Sequence, residues 1–352
     1  MPALPAARGA LFALLAALLF GASTPLVQRA GAGVGSWMTA ALLYAGAALA
    51  GVALRASAEA EARLQRQHWP RLAQMALCGA VLGPAALAWG LQHTSGVGAS
   101  LMLTLEAVFT TLLAWLLYRE QVGRRVVLAL VLLTLGGAVL VLGSAPAGAQ
   151  SLTGLLAVMA ATVLWGIDNS LSRPLADIDP GAVVLGKAAM GSAGALVLAL
   201  LLGQTTVAWA PALALVAIGA VGYGLSLRCY LLAQRSFGAA RTASVFAAAP
   251  FIGALLAFGL GERSISLAMG TGLALMAAGV LLHVGEQHDH DHRHNPLTHD
   301  HAHNHDDGHH HDHPHGSCLA TPPQGTHSHP HSHQATLHSH PHTPDLHHGH
   351  QH

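Results

Sequence analysis

The sequence contains one apolar unit twice. The stretch from Leu105 to Glu120 returns in altered form 142 residues later, where it ends at Glu262. The same offset relates four further pairs, namely Gln92 with Gln234, Gly96 with Gly238, Gly137 with Gly279, and Gly143 with Gly285. An offset that holds from residue 92 to residue 143 without a gap is improbable by chance, so the chain predicts two copies of one folding unit.

Both copies have the composition of a membrane protein. Of the 352 residues, 52% are hydrophobic and 9% are charged, whereas a soluble domain carries about 25% charge. A helix needs about 20 apolar residues to cross the hydrocarbon core of a bilayer. Ten such segments follow one another, at residues 9–28, 34–54, 72–91, 97–117, 125–142, 152–174, 181–202, 209–231, 239–258 and 266–283. We therefore expect an all-α integral membrane protein, with five helices in residues 1–150 and five in residues 151–285.

The distribution of arginine predicts the orientation. Lysine and arginine accumulate in cytoplasmic loops. If the N-terminus lies inside, the outside loops hold Arg29 and Arg263, and the inside loops hold Arg55, Arg63, Arg66, Arg71, Arg119, Arg124, Arg125, Arg173, Arg235 and Arg241. We therefore expect both termini in the cytoplasm. Because five is an odd number, the second copy then enters the membrane from the opposite side. Many secondary transporters have this inverted repeat and bind their substrate near the midplane between the repeats.

Two local features recur in the copies. Each copy has an apolar helix that ends in glutamate, and each first helix carries Leu-Phe-Gly or Leu-Trp-Gly, at residues 19–21 and 164–166. With these features, residues 9–285 resemble the EamA family of the drug/metabolite transporter superfamily. The resemblance implies a ten-helix carrier in the inner membrane, often an exporter of amino acids or other small metabolites, and it implies no particular substrate.

Several single residues bear on this resemblance. Pro250 interrupts the ninth helix where the first copy has Val108. Proline at this place is frequent in the family, so we expect the two halves to line a cavity differently. We expect Glu120 and Glu262 to be solvated helix ends, and Arg228 to extend its side chain to the membrane interface. The apolar N-terminal segment is expected to be retained, because a cleaved leader would not form half of a repeat.

Glu106 is the strongest candidate for a functional residue. It lies in the middle of the fourth predicted helix, and no Lys or Arg is near it in sequence. Ionisable groups inside the membrane are expensive and mark functional sites by default. Because burial disfavours the ionised form of a carboxyl group, Glu106 could take up and release a proton, or contact a cation or an amine. The alternative is a permanently protonated carboxyl bonded to a neighbouring helix.

Asp168 and Lys187 are expected to meet. Asp168 precedes the end of the sixth helix by about six residues, and Lys187, the only lysine in the chain, follows the start of the seventh by about six. An antiparallel hairpin places them at the same depth, which predicts an ion pair with either a structural or a substrate-coupling role. Asn169 adds hydrogen-bonding capacity beside the pair. Three aromatic residues could line the same cavity or could be ordinary packing or interface residues, namely Trp89, Trp165 and Tyr223.

Residues 286–352 form a different kind of polymer. They hold 24 of the 27 histidines and eight of the 16 acidic residues. The histidine pattern repeats with a period of 39 residues, which indicates a tandem duplication. Because the tail has almost no apolar residues, it cannot build a core, and we expect it to be disordered.

The tail also predicts metal binding. Imidazole suits zinc, copper, nickel and related ions, and a His-rich tract is typical of a chelating segment. The candidate ligands are His288, His290, His292, His294, His299, His301, His303, His309, His311 and His313, and their counterparts His327, His329, His331, His333, His338, His340, His342, His348, His350 and His352. These ligands are too interchangeable to define one geometry, so the choice among Zn, Ni, Co and Cu stays open. A tail that chelates metal without any role in transport is the alternative.

Three functions are compatible with these features. The leading hypothesis is a secondary carrier in the lipid bilayer, which exports a small organic metabolite such as an amino acid while the tail acts as a metal buffer or sensor. The alternative is a carrier of divalent transition metal (Ni, Co or Zn) fed by the tail, but the helices hold few metal-ligating residues. A metal-responsive sensor would not need two inverted copies. We find no nucleophile arrangement or phosphate loop, so we expect no enzyme, no required cofactor and no nucleic-acid partner.

Overall fold

The structure, a computed structural model, describes both repeats and four segments of the tail. The described residues are 3–54, 63–118, 123–143, 152–175, 178–237, 242, 245–262, 266–284, 288–293, 297–303, 327–333 and 337–342. Copy 1 denotes residues 1–150 and copy 2 denotes residues 151–285.

Copy 1 contains α1 (Ala3–Ala30), α2 (Ser36–Ala53), α3 (Trp69–Ala76), α4 (Gly83–Leu91), α5 (Gly96–Met102), α6 (Leu105–Tyr118) and α7 (Arg124–Leu142). Copy 2 contains α8 (Leu152–Ser172), α9 (Pro180–Leu201), α10 (Trp209–Ile218), α11 (Ser226–Phe237), α12 (Ala249–Gly259) and α13 (Leu267–Val284). Short 3₁₀ turns cover Arg66–His68 and Arg173–Leu175.

Eight helical spans in the described residues are long and apolar enough to cross a membrane. They are Arg8–Ala30, Ser36–Ala53, Arg66–Leu91, Gly96–Leu117, Arg124–Leu142, Leu152–Ser172, Pro180–Leu201 and Trp209–Gln234. They match the first eight predicted segments. The ninth and tenth are represented by shorter apolar helices, Ala249–Gly259 and Leu267–Leu282. Part of the ninth predicted segment, residues 239–241, 243 and 244, lies outside the described residues.

The third spanning helix of each copy contains a π turn at the same place. The turn covers Leu77–Leu82 in copy 1, between α3 and α4, and Gly219–Leu225 in copy 2, between α10 and α11. The first residues of the two turns are separated by the 142-residue offset of the sequence repeat. A π turn releases backbone groups from the regular helical pattern and is frequent at functional sites. The duplicated turn therefore marks these two helices as candidates for the functional site.

Corresponding helices of the two copies make corresponding contacts with each other. Helix α2 packs against α9 and α7 packs against α13, which joins the second helices and the fifth helices of the two copies. Helix α1 packs against α11 and α12, and its counterpart α8 packs against α4 and α6. The copies thus surround a common centre rather than forming two separate bundles.

Glycine permits the closest of these contacts. A Cβ atom on Gly46 of α2 would collide with the backbone carbonyl of Val216, and one on Gly219 would collide with the carbonyl of Leu43. Helices in lipid associate by close backbone approach, which small residues allow. Large apolar side chains such as Leu142 and Leu267 are exposed on the outer surface, as expected for residues that face lipid.

Each copy also caps helices of the other. Glu262 of copy 2 accepts hydrogen bonds from the backbone N–H groups of Gly96, at 2.9 Å, and Val97, at 3.3 Å, at the start of α5. Arg29 donates to the carbonyl of Leu260 beyond α12, and Arg228 donates to the carbonyl of Leu54 beyond α2. A carboxylate at a helix N-terminus and a cation at a C-terminus are both stabilising.

These contacts bear on two expectations from the sequence. Glu262 contacts the helix start of the other copy rather than being a solvated helix end, because the orphan N–H groups of α5 attract its carboxylate. The guanidinium of Arg228 reaches the carbonyl of Leu54 at the end of a spanning helix, which is compatible with extension to the membrane interface. The corresponding Glu120 lies outside the described residues.

The tail has regular structure where we expect disorder. Its strands β1 (His288–Arg293), β2 (Leu297–His303), β3 (His327–His333) and β4 (Leu337–His342) form two antiparallel ribbons, β1 with β4 and β2 with β3. The expectation of disorder is therefore wrong for these four segments. The physical reason lies in the pattern, because His-x-His alternation has the two-residue period of a strand and the duplication supplies a second strand of the same pattern. The remaining tail histidines lie outside the described residues.

Candidate functional site

Two adjoining pockets lie between the copies, and together they are called the inter-copy cavity. They share Phe20, Glu106, Asn169, Tyr230 and Phe246. The first extends along α6 to Thr111 and to Pro250, and the second extends to Asp168, Lys187 and Tyr223. Each measures about 60 Å³, which is far below the roughly 300 Å³ of a small-ligand pocket. Neither pocket is large enough in this arrangement to enclose a molecule of that size.

Glu106 reaches the inter-copy cavity because its helix is broken. The fourth spanning segment stops at Met102 and resumes at Leu105, so Glu106 occupies the first turn of α6. Side-chain Nδ2 of Asn169 donates a hydrogen bond of 2.6 Å to Oε1 of Glu106. A carboxylate in the first turn is favourable for a helix. The break thus provides a polar position at the middle of an apolar segment.

Asp168 and Lys187 form a buried ion pair beside Glu106. Nζ of Lys187 donates to Oδ2 of Asp168, and the two side chains expose 4% and 6% of their surface. The hairpin of α8 and α9 brings them to one depth, as the sequence predicts. Oδ1 of Asp168 is buried without a hydrogen-bond partner among the described residues. Unsatisfied buried acceptors are rare, so this oxygen is a position where a ligand donor would be stabilised.

The π turn in copy 1 organises the wall around this pair. The carbonyl of Gly79 accepts hydrogen bonds from Oη of Tyr44, at 2.5 Å, and from Nε1 of Trp165, at 3.1 Å. A Cβ atom on Gly79 would collide with the carboxylate of Asp168. Glycine is therefore required for α3, α4 and α8 to approach at this point.

Aromatic rings form a continuous network around the cavity. Phe20 has its ring centroid 5.5 Å from Trp165, 5.7 Å from Tyr223 and 5.5 Å from Phe246. Tyr44 extends the network from Tyr223 at 5.6 Å, and Tyr230 extends it from Phe246 at 5.1 Å. The chain has 6 Trp, 4 Tyr and 7 Phe, and six of these residues line the cavity. Aromatic residues are thus strongly concentrated at this site.

The structure brings together six of the seven predicted site residues. Glu106, Asp168, Asn169, Lys187, Trp165 and Tyr223 all line the inter-copy cavity. Trp89 does not, because it stacks on His93 at 4.0 Å near the end of α4 and is 38% exposed. These contacts favour the alternative of a packing or interface residue for Trp89.

Sequence reasoning missed four of the rings. Phe20, Tyr44, Tyr230 and Phe246 lie in apolar segments whose inward face no pattern reveals. For Phe20 a signal was present, since residues 19–21 and 164–166 correspond between copies and Trp165 was a candidate. The duplicated unit places both rings at equivalent positions.

The charged groups of the cavity break the symmetry of the copies. The 142-residue offset carries Glu106 onto Ala248. The correspondence of Phe20 with Trp165 carries Ser23 onto Asp168. The two halves therefore present different chemistry to the same cavity.

The sequence profile of the EamA-like transporter family matches residues 7–142 and again residues 152–285. This chain belongs to the EamA family. The double match shows that the chain contains two EamA repeats. It also makes the chain a multi-pass membrane transporter and not an enzyme.

Two further comparisons agree with this EamA assignment. An uncharacterized transporter of Methanothermobacter thermautotrophicus is 29% identical over 235 residues, which cover 65% of this chain and 68% of the relative. A protein of known crystal structure superposes with a TM-score of 0.57 at 21% identity, over 78% of this chain and 96% of its own. At that identity the superposition shows a shared fold alone.

Among the described residues of this EamA transporter, no three His, Cys, Asp or Glu side chains are grouped as a metal site. The side chains of the predicted tail ligands lie outside the part of the chain that the structure describes.

Proposed function

We propose that this protein is a secondary-active carrier that exports a small organic metabolite, such as an amino acid, by alternating access. The observation that carries the proposal is the inter-copy cavity, where Glu106, Asn169, Asp168 and Lys187 meet a network of rings at the boundary of the two copies. Intramembrane ionisable groups mark substrate and ion pathways. Binding at the interface of two repeats is the arrangement of many secondary transporters.

Three polar side chains join the two copies at the end of the bundle that holds residues 28–37, 91–97, 204 and 260–262. Gln204 of copy 2 accepts a hydrogen bond of 2.9 Å from the backbone N–H of Trp37 in copy 1, and Glu262 of copy 2 accepts one of 2.9 Å from the backbone N–H of Gly96. Arg29 of copy 1 donates to the carbonyl of Leu260. In the proposed cycle these contacts break when the copies separate at this end, so together they are its latch.

We place the latched end outside and both termini in the cytoplasm of a cell with this protein in its inner membrane. The basis is the arginine distribution, in which the loops of the latched end hold Arg29 and Arg263 and those of the other end hold ten arginines. With five spans in each copy, this orientation makes copy 2 the inverted counterpart of copy 1. Reporter fusions at the two termini test the orientation, and a periplasmic signal from either terminus contradicts it.

Proteoliposomes test the carrier function. The full chain is compared with a chain that ends at Glu286, with labelled amino acids in one arm and zinc, nickel and cobalt in the other. We expect flux of an organic solute that is lost on Glu106→Gln and is unchanged by truncation. Metal flux that needs Glu106 and falls on truncation would replace the proposal with a metal carrier.

We further propose that the tail binds transition-metal ions, with Zn, Ni, Co and Cu as candidates. The strand register supports it. His288, His290 and His292 of β1 are opposite His342, His340 and His338 of β4, and His299, His301 and His303 of β2 are opposite His331, His329 and His327 of β3. Residues two apart in a strand share one face, so each ribbon has at least six histidine positions on one face. Imidazole is a suitable ligand for all four metals.

Equilibrium dialysis of the full chain against each metal tests the tail. We expect binding that is lost in the chain ending at Glu286. Because metal must compete with protons for imidazole, binding is expected to weaken below about pH 6. Equal binding by the truncated chain would place the metal elsewhere.

A further inference from the structure

The charges of the inter-copy cavity do not balance. Among the described residues that line it, Lys187 is the only cation, and it is already paired with Asp168. Glu106 has the neutral amide of Asn169 as its hydrogen-bond partner. When all three groups are ionised, the cavity therefore carries one surplus negative charge, at Glu106.

Two acceptor positions are available to a ligand. Glu106 is partly buried and lines both pockets of the cavity. Oδ1 of Asp168 belongs to a residue that is 95% buried, and it lacks a partner among the described residues. Both oxygens accept hydrogen bonds when ionised. A primary ammonium group has three donors and no acceptor, which suits a site with free acceptors, whereas a quaternary ammonium group has no N–H and would be bound by charge and by the rings.

The rings favour the same kind of ligand. Trp, Tyr and Phe attract a cation to the face of the ring, and aromatic cages recognise quaternary ammonium groups. Here six rings line the same cavity as the one surplus carboxylate. Apolar parts of a ligand would be stabilised by the same rings.

We propose that the inter-copy cavity selects organic cations, meaning molecules with a protonated amine or quaternary ammonium group on an apolar body. This inference rests on the proposed function and narrows its substrate class. A zwitterionic amino acid brings a carboxylate for which the described lining of the cavity offers no free cation, because Lys187 is held by Asp168. An amine without that carboxylate avoids the conflict.

Four ligands with one apolar body test the proposal. Phenethylamine is a cation, phenylalanine a zwitterion, 3-phenylpropionate an anion and 2-phenylethanol neutral. Binding of each to the purified full chain is measured by calorimetry, and transport in proteoliposomes. We expect phenethylamine to bind about tenfold or more tightly than each of the other three, the effect of one charge-assisted contact. Equal or tighter binding of phenylalanine or 3-phenylpropionate would overturn the inference.

Variants separate the carboxylate from the rings. Glu106→Gln is expected to lower the affinity for phenethylamine about tenfold and to leave the affinity for 2-phenylethanol unchanged. Glu106→Asp should retain most of the affinity for phenethylamine. Phe20→Leu keeps an apolar side chain, and it should weaken the binding of phenethylamine more than the binding of 2-phenylethanol. Thr134→Val, at an exposed position on α7 whose hydroxyl bonds within its own helix, serves as the control for expression and folding.

The outcomes distinguish this inference from the proposed function. Transport of phenylalanine without selective binding of phenethylamine leaves the carrier in place and rejects the cation site. Selective binding of phenethylamine that depends on Glu106, without transport of any ligand, supports the cation site and rejects the carrier.

Discussion

Asn169 of copy 2 donates a hydrogen bond of 2.6 Å to Glu106 of copy 1. The bond joins the two halves at the cavity itself. A hydrogen bond to a charged group stabilises by about 1.5–3 kcal/mol, so we expect Asn169→Leu to change KM or kcat for the transported solute by about tenfold or more. Kinetics in proteoliposomes measure the effect. The control is Thr271→Val, an exposed threonine of α13 bonded to Leu267 of its own helix. Unchanged KM and kcat in Asn169→Leu would show that the bond has no part in transport.

The pair of Asp168 and Lys187 predicts a double-mutant result. Removal of one partner from a buried ion pair leaves an uncompensated charge, which destabilises by about 3–5 kcal/mol, whereas replacement of both by apolar groups is often neutral or stabilising. We therefore expect Lys187→Met to lower Tm in detergent strongly. Asp168→Leu combined with Lys187→Met should recover most of the loss.

The transport activity of the double variant adds a second readout. If it is stable and still transports, the pair is structural. If it is stable and inactive, the pair contributes to binding or coupling. A single variant as stable as the wild type would contradict the buried pairing.

Those site residues could be predicted from the sequence whose signal lies in their immediate sequence neighbourhood. Glu106, Asp168 and Lys187 were recognisable because a charge within an apolar run is rare, and the meeting of the last two follows from hairpin geometry. The position of Trp89 could not be predicted, because no sequence pattern shows the direction in which an aromatic residue of an apolar helix faces. Tyr44 and Tyr230 were missed for the same reason.

Other features depend on contacts that the sequence does not encode locally. Glu262 was expected to be a solvated helix end, but its partner Gly96 lies 166 residues away in the other copy. The π turns at Leu77–Leu82 and Gly219–Leu225 depend on packing between helices. The tail strands arise from pairing across a duplication, which composition alone does not predict.

Gly79 offers a test of the close approach beside Asp168. A methyl group at this position would collide with the Asp168 carboxylate, so Gly79→Ala should destabilise the protein by about 1–3 kcal/mol, as overpacking does. Gly259→Ala is the matched control, because a Cβ atom at Gly259 meets nothing within 4 Å. In an α-helix, alanine is intrinsically more favourable than glycine, and the control is expected to keep or raise Tm. Equal Tm shifts in the two variants would contradict the steric argument.

Glu262 is expected to control the opening of the latched end. A carboxylate at a helix N-terminus stabilises by about 0.3–1 kcal/mol, and the carboxylate of Glu262 also joins the two copies at Gly96 and Val97. Glu262→Ala should therefore raise the population that is open at this end by a factor of about five. The measurement is thiol labelling of Thr94→Cys, a buried position beside α5, in a chain whose native Cys78, Cys229 and Cys318 are replaced by serine.

The control for that labelling is Ser192→Cys on α9, whose hydroxyl donates to the carbonyl of Ala41 at 2.9 Å, away from the latch residues. Glu262→Ala should speed labelling of Thr94→Cys and leave Ser192→Cys unchanged, because only the first lies beside the broken cap. Faster labelling at both positions would indicate general loosening of the bundle, and an unchanged rate at Thr94→Cys would remove Glu262 from the latch. A selective increase would mean that a carboxylate of one copy, bound to the helix start of the other, holds this end of the carrier closed.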